Sequence, residues 1–345
     1  SADNSIYTHD VSGTDDTAQY NTAYGFTALD AVTTGDSNVA IGYRAGSTIT
    51  GGAQNVLIGD GAGNSLTVGN YNVAIGFEAL YSEDADGFNV AIGRRALKDQ
   101  NAGGAAYNVA IGYHAGENVT SGVENTLIGG TAGDALTTGH RNVAIGAYAL
   151  DATSTNAQTG TIAIGHQALT ALTTGSGNIA IGYLAADALT VGTDNTCIGV
   201  NALGGATTTD GIDFNVAIGN YAMAGTNAGA AQNVAVGYAA LDANMTSAAD
   251  ANTAIGWFAS SAITSGANNT SVGAGALIVT STGNDNVAVG KDAGSLLQTG
   301  VDNVIIGMNA QANATDGGNC IVIGEGATGV DNNSVTLGNA SVTAV

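Results

Sequence analysis

Tyr43, Phe77, Tyr113, Tyr183, Tyr238 and Trp257 each stand directly after a glycine in one short recurring phrase, and the same place elsewhere holds Asp60, Arg94, His166 and Lys291. A position that accepts aromatic, acidic and basic side chains alike is expected to face outward. A row of exposed rings offers flat apolar surfaces for stacking on sugars or on a receptor, although such rings would serve equally to cap the segment beneath them.

Other residues with chemical potential are sparser. The acidic stretches Ser82-Glu83-Asp84-Ala85-Asp86 and Asp10 to Asp16 supply the oxygen ligands that calcium requires. No EF-hand loop or glycine-aspartate nonapeptide accompanies them, so solvated acidic loops are expected, with calcium as the alternative and no other cofactor. The histidines His9, His114, His140 and His166 show no metal-ligand spacing and are expected to be solvent-facing turn residues. No paired carboxylates, P-loop, Gly-x-Ser-x-Gly elbow or Cys-base arrangement is present, and the chain is not expected to be an enzyme.

The element that must position these residues is the phrase itself: Asn, Val or Thr, a small residue, Ile or Val, then Gly. It recurs 19 times, from Gly25 to Gly338, mostly at a spacing of 17, so length varies only between phrases. Asn38, Asn55, Asn72, Asn89, Asn108, Asn125 and Asn142 open successive phrases. Stacked at one level, they are expected to hydrogen-bond along the stack as a structural ladder rather than to act as ligands or glycan acceptors. The period-2 pattern of Val39-Ala40-Ile41 predicts a short strand, the glycine a bend, and the Ala three residues later the start of a second strand. The fold class is therefore all-β: a parallel β-solenoid of about 19 short coils.

In this reading Val and Ile are buried between coils. The Ala row (Ala40, Ala74, Ala91, Ala110, Ala144, Ala163, Ala180) forms an exposed stripe on which three chains would pack. Cys197 and Cys320 fall seven coils apart, a separation of roughly 30 Å or more, and are expected to be buried and unbridged.

Composition narrows the partners. With 28 Asp and Glu against 6 Lys and Arg the net charge is −22, which excludes nucleic acid as a ready partner. The cluster Arg94, Arg95 and Lys98 is expected to pair locally. No apolar run reaches the length of a membrane span, and the first residues carry no signal peptide, so the chain is read as a matured or trimmed piece.

The phrase Asn-(Ser)-Val-Ala-Ile-Gly-x-x-Ala resembles the head repeat of YadA-type trimeric autotransporter adhesins, and its longer period resembles that of bacteriophage tail fibres. The resemblance implies a left-handed parallel β-roll, a homotrimer, an extracellular place on a virion tail fibre or cell surface, and a host cell-surface receptor or glycan as partner. It divides the chain into a lead-in at 1–20, repeats at 21–338, and a tail at 339–345 that leads to a tip or chaperone domain. A bacterial surface adhesin or a self-assembling extracellular filament is the alternative. A carbohydrate-active β-helix enzyme would need convergent carboxylates, and an ice-binding solenoid an unbroken Thr array. Neither is evident.

Overall fold

A computed structural model describes residues 6–7, 17–152, 158–205 and 211–342. The acidic stretch Asp10 to Asp16, His9 and residues 343–345 lie outside them. Among the described residues the chain is all-β, a parallel β-solenoid of about 18 turns without helix. It divides into two compact units, Ser1–Thr174 and Gly175–Val345.

In the first unit the strands are Ile6–Tyr7, Thr22–Tyr24, Val39–Ile41, Val56–Ile58, Val73–Ile75, Val90–Ile92, Val109–Ile111, Thr126–Ile128, Val143–Ile145 and Ile162–Ile164. Each pairs in parallel with the next and in equivalent register, Val39 beside Val56, Ala40 beside Leu57 and Ile41 beside Ile58. The second unit repeats the arrangement from Ile179–Ile181 to Val335–Leu337. There, insertions between phrases add a small separate parallel pair, Asn227–Ala228 with Met245–Thr246.

The strands face the opposite way from the sequence-based expectation. Ala40, Ala74, Ala91, Ala110, Ala144, Ala163 and Ala180 are completely buried, whereas Ile41 is 39 % exposed and Val39 half-buried. The Ala stripe is interior, so it is not a surface on which chains can pack. Packing is the reason. The interior also holds the Ala three residues beyond the glycine (Ala45, Ala79, Ala96), and most coils place a small side chain at the centre of the strand, with Leu57, Leu127, Ile305 and Val322 as the larger occupants of that place. The branched Val and Ile take the outer face.

Among the described residues the expected second strand after the bend is also absent. After the bend the chain runs through turns, because the second and fourth residues past the glycine adopt positive φ, as at Arg44 (55°) and Gly46 (57°) or Glu78 and Leu80 (both 52°). Alternating the sign of φ ends any extended run. Backbone bonding between coils nevertheless persists, Leu29 N–H donating to Ala45 O (3.1 Å) and Gly46 N–H to Ala62 O (2.9 Å). The bend glycine itself is obligatory: Gly42 has φ 135°, and a Cβ there would stand 2.5 Å from the carbonyl oxygen of Gly59.

The left-handed residue four past the bend turns its side chain into the core, where Leu29, Leu80 and Leu97 are fully buried. In the two coils whose central strand residue is Leu, this place is glycine. Leu57 lies between Gly46 and Gly63, at which an added Cβ would stand 2.7 and 2.8 Å from its methyl carbons. Leu127 has the same relation to Gly116 and Gly133. In these two coils Leu on the strand with Gly on the turn replaces Ala on the strand with Leu on the turn, and each Leu also fills the space beside the turn glycine of the preceding coil.

Candidate functional site

The phrase-opening Asn residues, buried throughout, form a hydrogen-bonded column. Asn55 N–H donates to Asn38 Oδ1 (3.0 Å), and Asn55 Nδ2 donates both to that oxygen (3.0 Å) and to Gly69 O (2.9 Å). Asn72, Asn89, Asn108, Asn125 and Asn142 likewise donate their N–H to Oδ1 of the Asn one coil before, at 2.9–3.1 Å. The amides therefore satisfy backbone groups inside the coil.

The column is disturbed at Asn89, whose Nδ2 is buried without a partner among the described residues. The following coil is two residues longer than its neighbours, so the carbonyl that would receive this amide is displaced. Around that insertion the acidic loop expected to be solvated is so only in part: Asp84 and Ala85 are exposed, whereas Glu83 and Asp86 are completely buried. Asp86 accepts the N–H groups of Ala102 and Gly104, and Asn108 Nδ2 donates to Gln100 Oε1 at 2.8 Å. Glu83 Oε1 accepts Asp86 N–H (2.6 Å), and burial pushes its carboxyl up to about 8, so it is protonated at neutral pH. The site is built to accept backbone protons, and no group of three or more His, Cys, Asp or Glu among the described residues is arranged for a metal ion.

On the outside, the residues that follow the bend form the surface row. Tyr43 (43 %), Phe77 (40 %), Tyr113 (54 %), Tyr183 (52 %), Tyr238 (46 %) and Trp257 (58 %) are all exposed. Each unit carries its own part of the row. Two features escaped sequence reasoning. The first is a parallel column, Tyr71, Phe88 and Tyr107, stacked at 5.0 and 4.9 Å with interplanar angles of 16° and 18°. These rings precede the Asn of their phrases and hold positive φ, a preference invisible in residue identity. Their faces are occupied by one another.

The second is the placement of Arg94 within the basic cluster that was expected to pair locally. Arg95 pairs with Glu78 (2.8 Å) and Glu117 (3.4 Å), and Lys98 with Asp99 (3.2 Å), so both are locally neutralised. Arg94 is not. Its guanidinium lies over Phe77 (5.6 Å) and over Tyr113 (5.5 Å), bridging rings two coils apart. Its Nη1 also meets Tyr113 Oη (3.4 Å) and His114 Nε2.

His114 departs from its expected solvent-facing role, being half-buried, stacked under Tyr113 (3.8 Å) and bonded through Nδ1 to Glu117 (2.6 Å). Burial, with Arg94, Arg95 and Lys98 nearby, holds its pKa below the usual imidazole range against the opposing pull of Glu117. His140 also turns inward, its Nδ1 accepting Val123 N–H at 3.2 Å. Further along the first unit, burial pushes Asp134 and Asp151 up to about 6, with Glu117 and Asp134 respectively adding like charge. Cys197 and Cys320 are free and buried. Cys320 takes the Asn place in its phrase, its N–H donating to Asn303 Oδ1 (3.0 Å).

These features define a class, a repetitive β-solenoid with a sealed polar column and an aromatic outer row. No protein-family model matches the chain, and no curated protein is significantly similar to it.

Proposed function

We propose that this chain is a structural and adhesive part of an extracellular fibre, a bacteriophage tail-fibre segment assembled as a homotrimer, whose outer row meets a host cell-surface receptor or glycan. It acts mechanically and not as an enzyme. The observation that carries this reading is the division of labour between faces. In each unit the outward strand positions hold Val, Ile, Thr, Tyr24 and Leu337 and not one charge, although the chain bears −22 overall. Ile111 (37 %), Ile198 (36 %), Ile255 (41 %) and Ile323 (40 %) show how much of this face is open. Copies can meet there without like-charge repulsion, while the bend residues of the same coils remain available to a target. The resemblance of the phrase to YadA-type heads supports the same assignment. Three copies of each row would act together, which multiplies weak contacts.

The test is the assembly's mass in solution. Mass photometry on the 33.6 kDa chain should give a species of about 100 kDa. Ile128→Lys, on the outward face, should dissociate it. A stable monomer overturns the trimer. Retention of labelled protein on bacterial cells, lost on Tyr183→Ala with Trp257→Ala, tests adhesion, and unchanged retention removes the role of the row.

A further inference from the structure

We propose that Arg94, clamped between Phe77 and Tyr113, reads an anionic group, and that the ligand is a saccharide carrying a carboxylate. The inference rests on the reading that the outer row meets surface glycans, and it names the class of glycan.

The starting point is a charge anomaly. Of six Lys and Arg side chains in a chain of net −22, Arg95, Lys98, Arg141 and Lys291 each have a carboxylate partner. Among the described residues Arg94 and Arg44 have none within ion-pair distance, and Arg44 lies over a single ring, Tyr43, at 5.1 Å. An exposed cation on so acidic a surface has many carboxylates to choose from. Arg94 is kept from them by its surroundings.

Three contacts do this. Phe77 and Tyr113 hold the guanidinium over their faces, which favours a cation, and with Nη1 turned to Tyr113 Oη and His114 Nε2 the Nε and Nη2 donors are left unspent. His114 Nε2 accepts from Arg94, since Nδ1–H is committed to Glu117. Glu117, an acid of the same cluster, is already shared between His114 and Arg95. The guanidinium is thus oriented before any ligand arrives, with N–H donors suited to a planar, bidentate carboxylate.

The rings set the rest of the ligand. Phe77 and Tyr113 stand two coils apart, on the order of 10 Å, a span that two linked pyranose rings cover. Aromatic edges and faces beside a guanidinium suit the C–H face of a sugar with an acid group directed at the arginine. The chain's net charge opposes an anionic ligand at long range, so affinity should improve as salt screens that repulsion, the reverse of binding to a basic surface.

The experiment is a glycan array, followed by calorimetry at about 150 mM salt, where long-range repulsion is screened. The probes are glucuronate-, galacturonate- and sialate-terminated oligosaccharides, each paired with its methyl ester. At least one acid should bind about tenfold or more tightly than its ester. Arg94→Gln, which keeps a polar side chain at an exposed position, should abolish that preference with the circular dichroism and melting temperature unchanged, and Phe77→Ala should weaken acid and ester together. Equal binding of acid and ester, lost on Trp257→Ala, overturns the proposal and leaves the row as a general glycan surface. Retention of no glycan overturns both. A change in assembly mass on Arg94→Gln also overturns it, because Arg94 would then serve a carboxylate of another copy.

Discussion

Leu127 occupies the volume that Gly133 leaves open: a Cβ added to Gly133 would stand 2.7 Å from Leu127 Cδ2, whereas one coil on the pair is Ala144 with Leu150. Leu150 has φ 53° and Gly133 φ 60°, so the backbone of both coils already suits either residue.

Interior size is therefore exchangeable between strand and turn. Leu127→Ala should cost about 2–5 kcal/mol by opening a cavity, and Gly133→Leu alone about 1–3 kcal/mol or more by overpacking. The double variant reproduces the neighbouring coil and should return to within about 1 kcal/mol of the native chain, measured by urea unfolding. Additive losses would show that the two positions are independent.

The side chain of Asn125 closes four bonds at once, one of them from Nδ2 to Asn108 Oδ1 (3.1 Å). Its Oδ1 accepts from Asn142 N–H (2.9 Å) and Asn142 Nδ2 (3.1 Å), and its own Nδ2 donates to Gly139 O (2.9 Å). Asn125→Ala leaves buried groups unpaired and should cost about 2–4 kcal/mol. Exposed Asn118→Ala should change stability by no more than about 0.5 kcal/mol. Thermal melts of the two variants make the comparison.

Stability should fall, not rise, between mildly acidic and alkaline pH. Glu83 is raised from 4.5 to about 8, and Asp134 and Asp151 from 3.8 to about 6. A raised folded pKa contributes stability fully below the unfolded value and loses it as pH rises through the folded value, here first across 4–6 and then up to 8. Melting temperature should drop by roughly 5 °C or more between pH 5 and pH 9. Glu83→Gln, which imitates the protonated acid, should remove the part of the slope above pH 6.

The thiols should be silent in the folded chain. Burial pushes Cys197 up to about 12, and Cys320 is equally enclosed. A chromogenic disulfide reagent at pH 8 should detect no thiol before denaturation and two afterwards. Rapid labelling of native protein would show that the coils open locally.

Much of this was legible in the residues, because a repeat constrains itself. The glycine at each bend, the Asn column and the length variation between phrases all follow from stacking like upon like, which demands one conformation in every coil. The aromatic places after Gly42, Gly76 and Gly112 were visible as an outward row for the same reason: variable chemistry at a fixed position needs solvent around it. The sequence also contained the Leu57–Gly63 and Leu127–Gly133 exchanges, yet their meaning depends on which side chains share a space.

What the tertiary structure alone decided is the direction of each side chain. Alternation in Val39-Ala40-Ile41 specifies two faces but not which is inside. Packing placed the central residue inside, alanine in most coils and Leu57, Leu127, Ile305 and Val322 in others, and turned its two strand neighbours outward. Positive φ at Arg44, Glu78 and Leu80, which residue identity does not announce, replaced a second strand with turns. Asp86 was drawn from an apparently solvated loop into the core, where it accepts the N–H groups of Ala102 and Gly104 in the two-residue insertion before Gly112, and Glu83 is buried beside it, accepting Asp86 N–H. By itself the sequence determined the periodic scaffold; three-dimensional packing determined its inner face, its uncharged outer face and the unpaired Arg94.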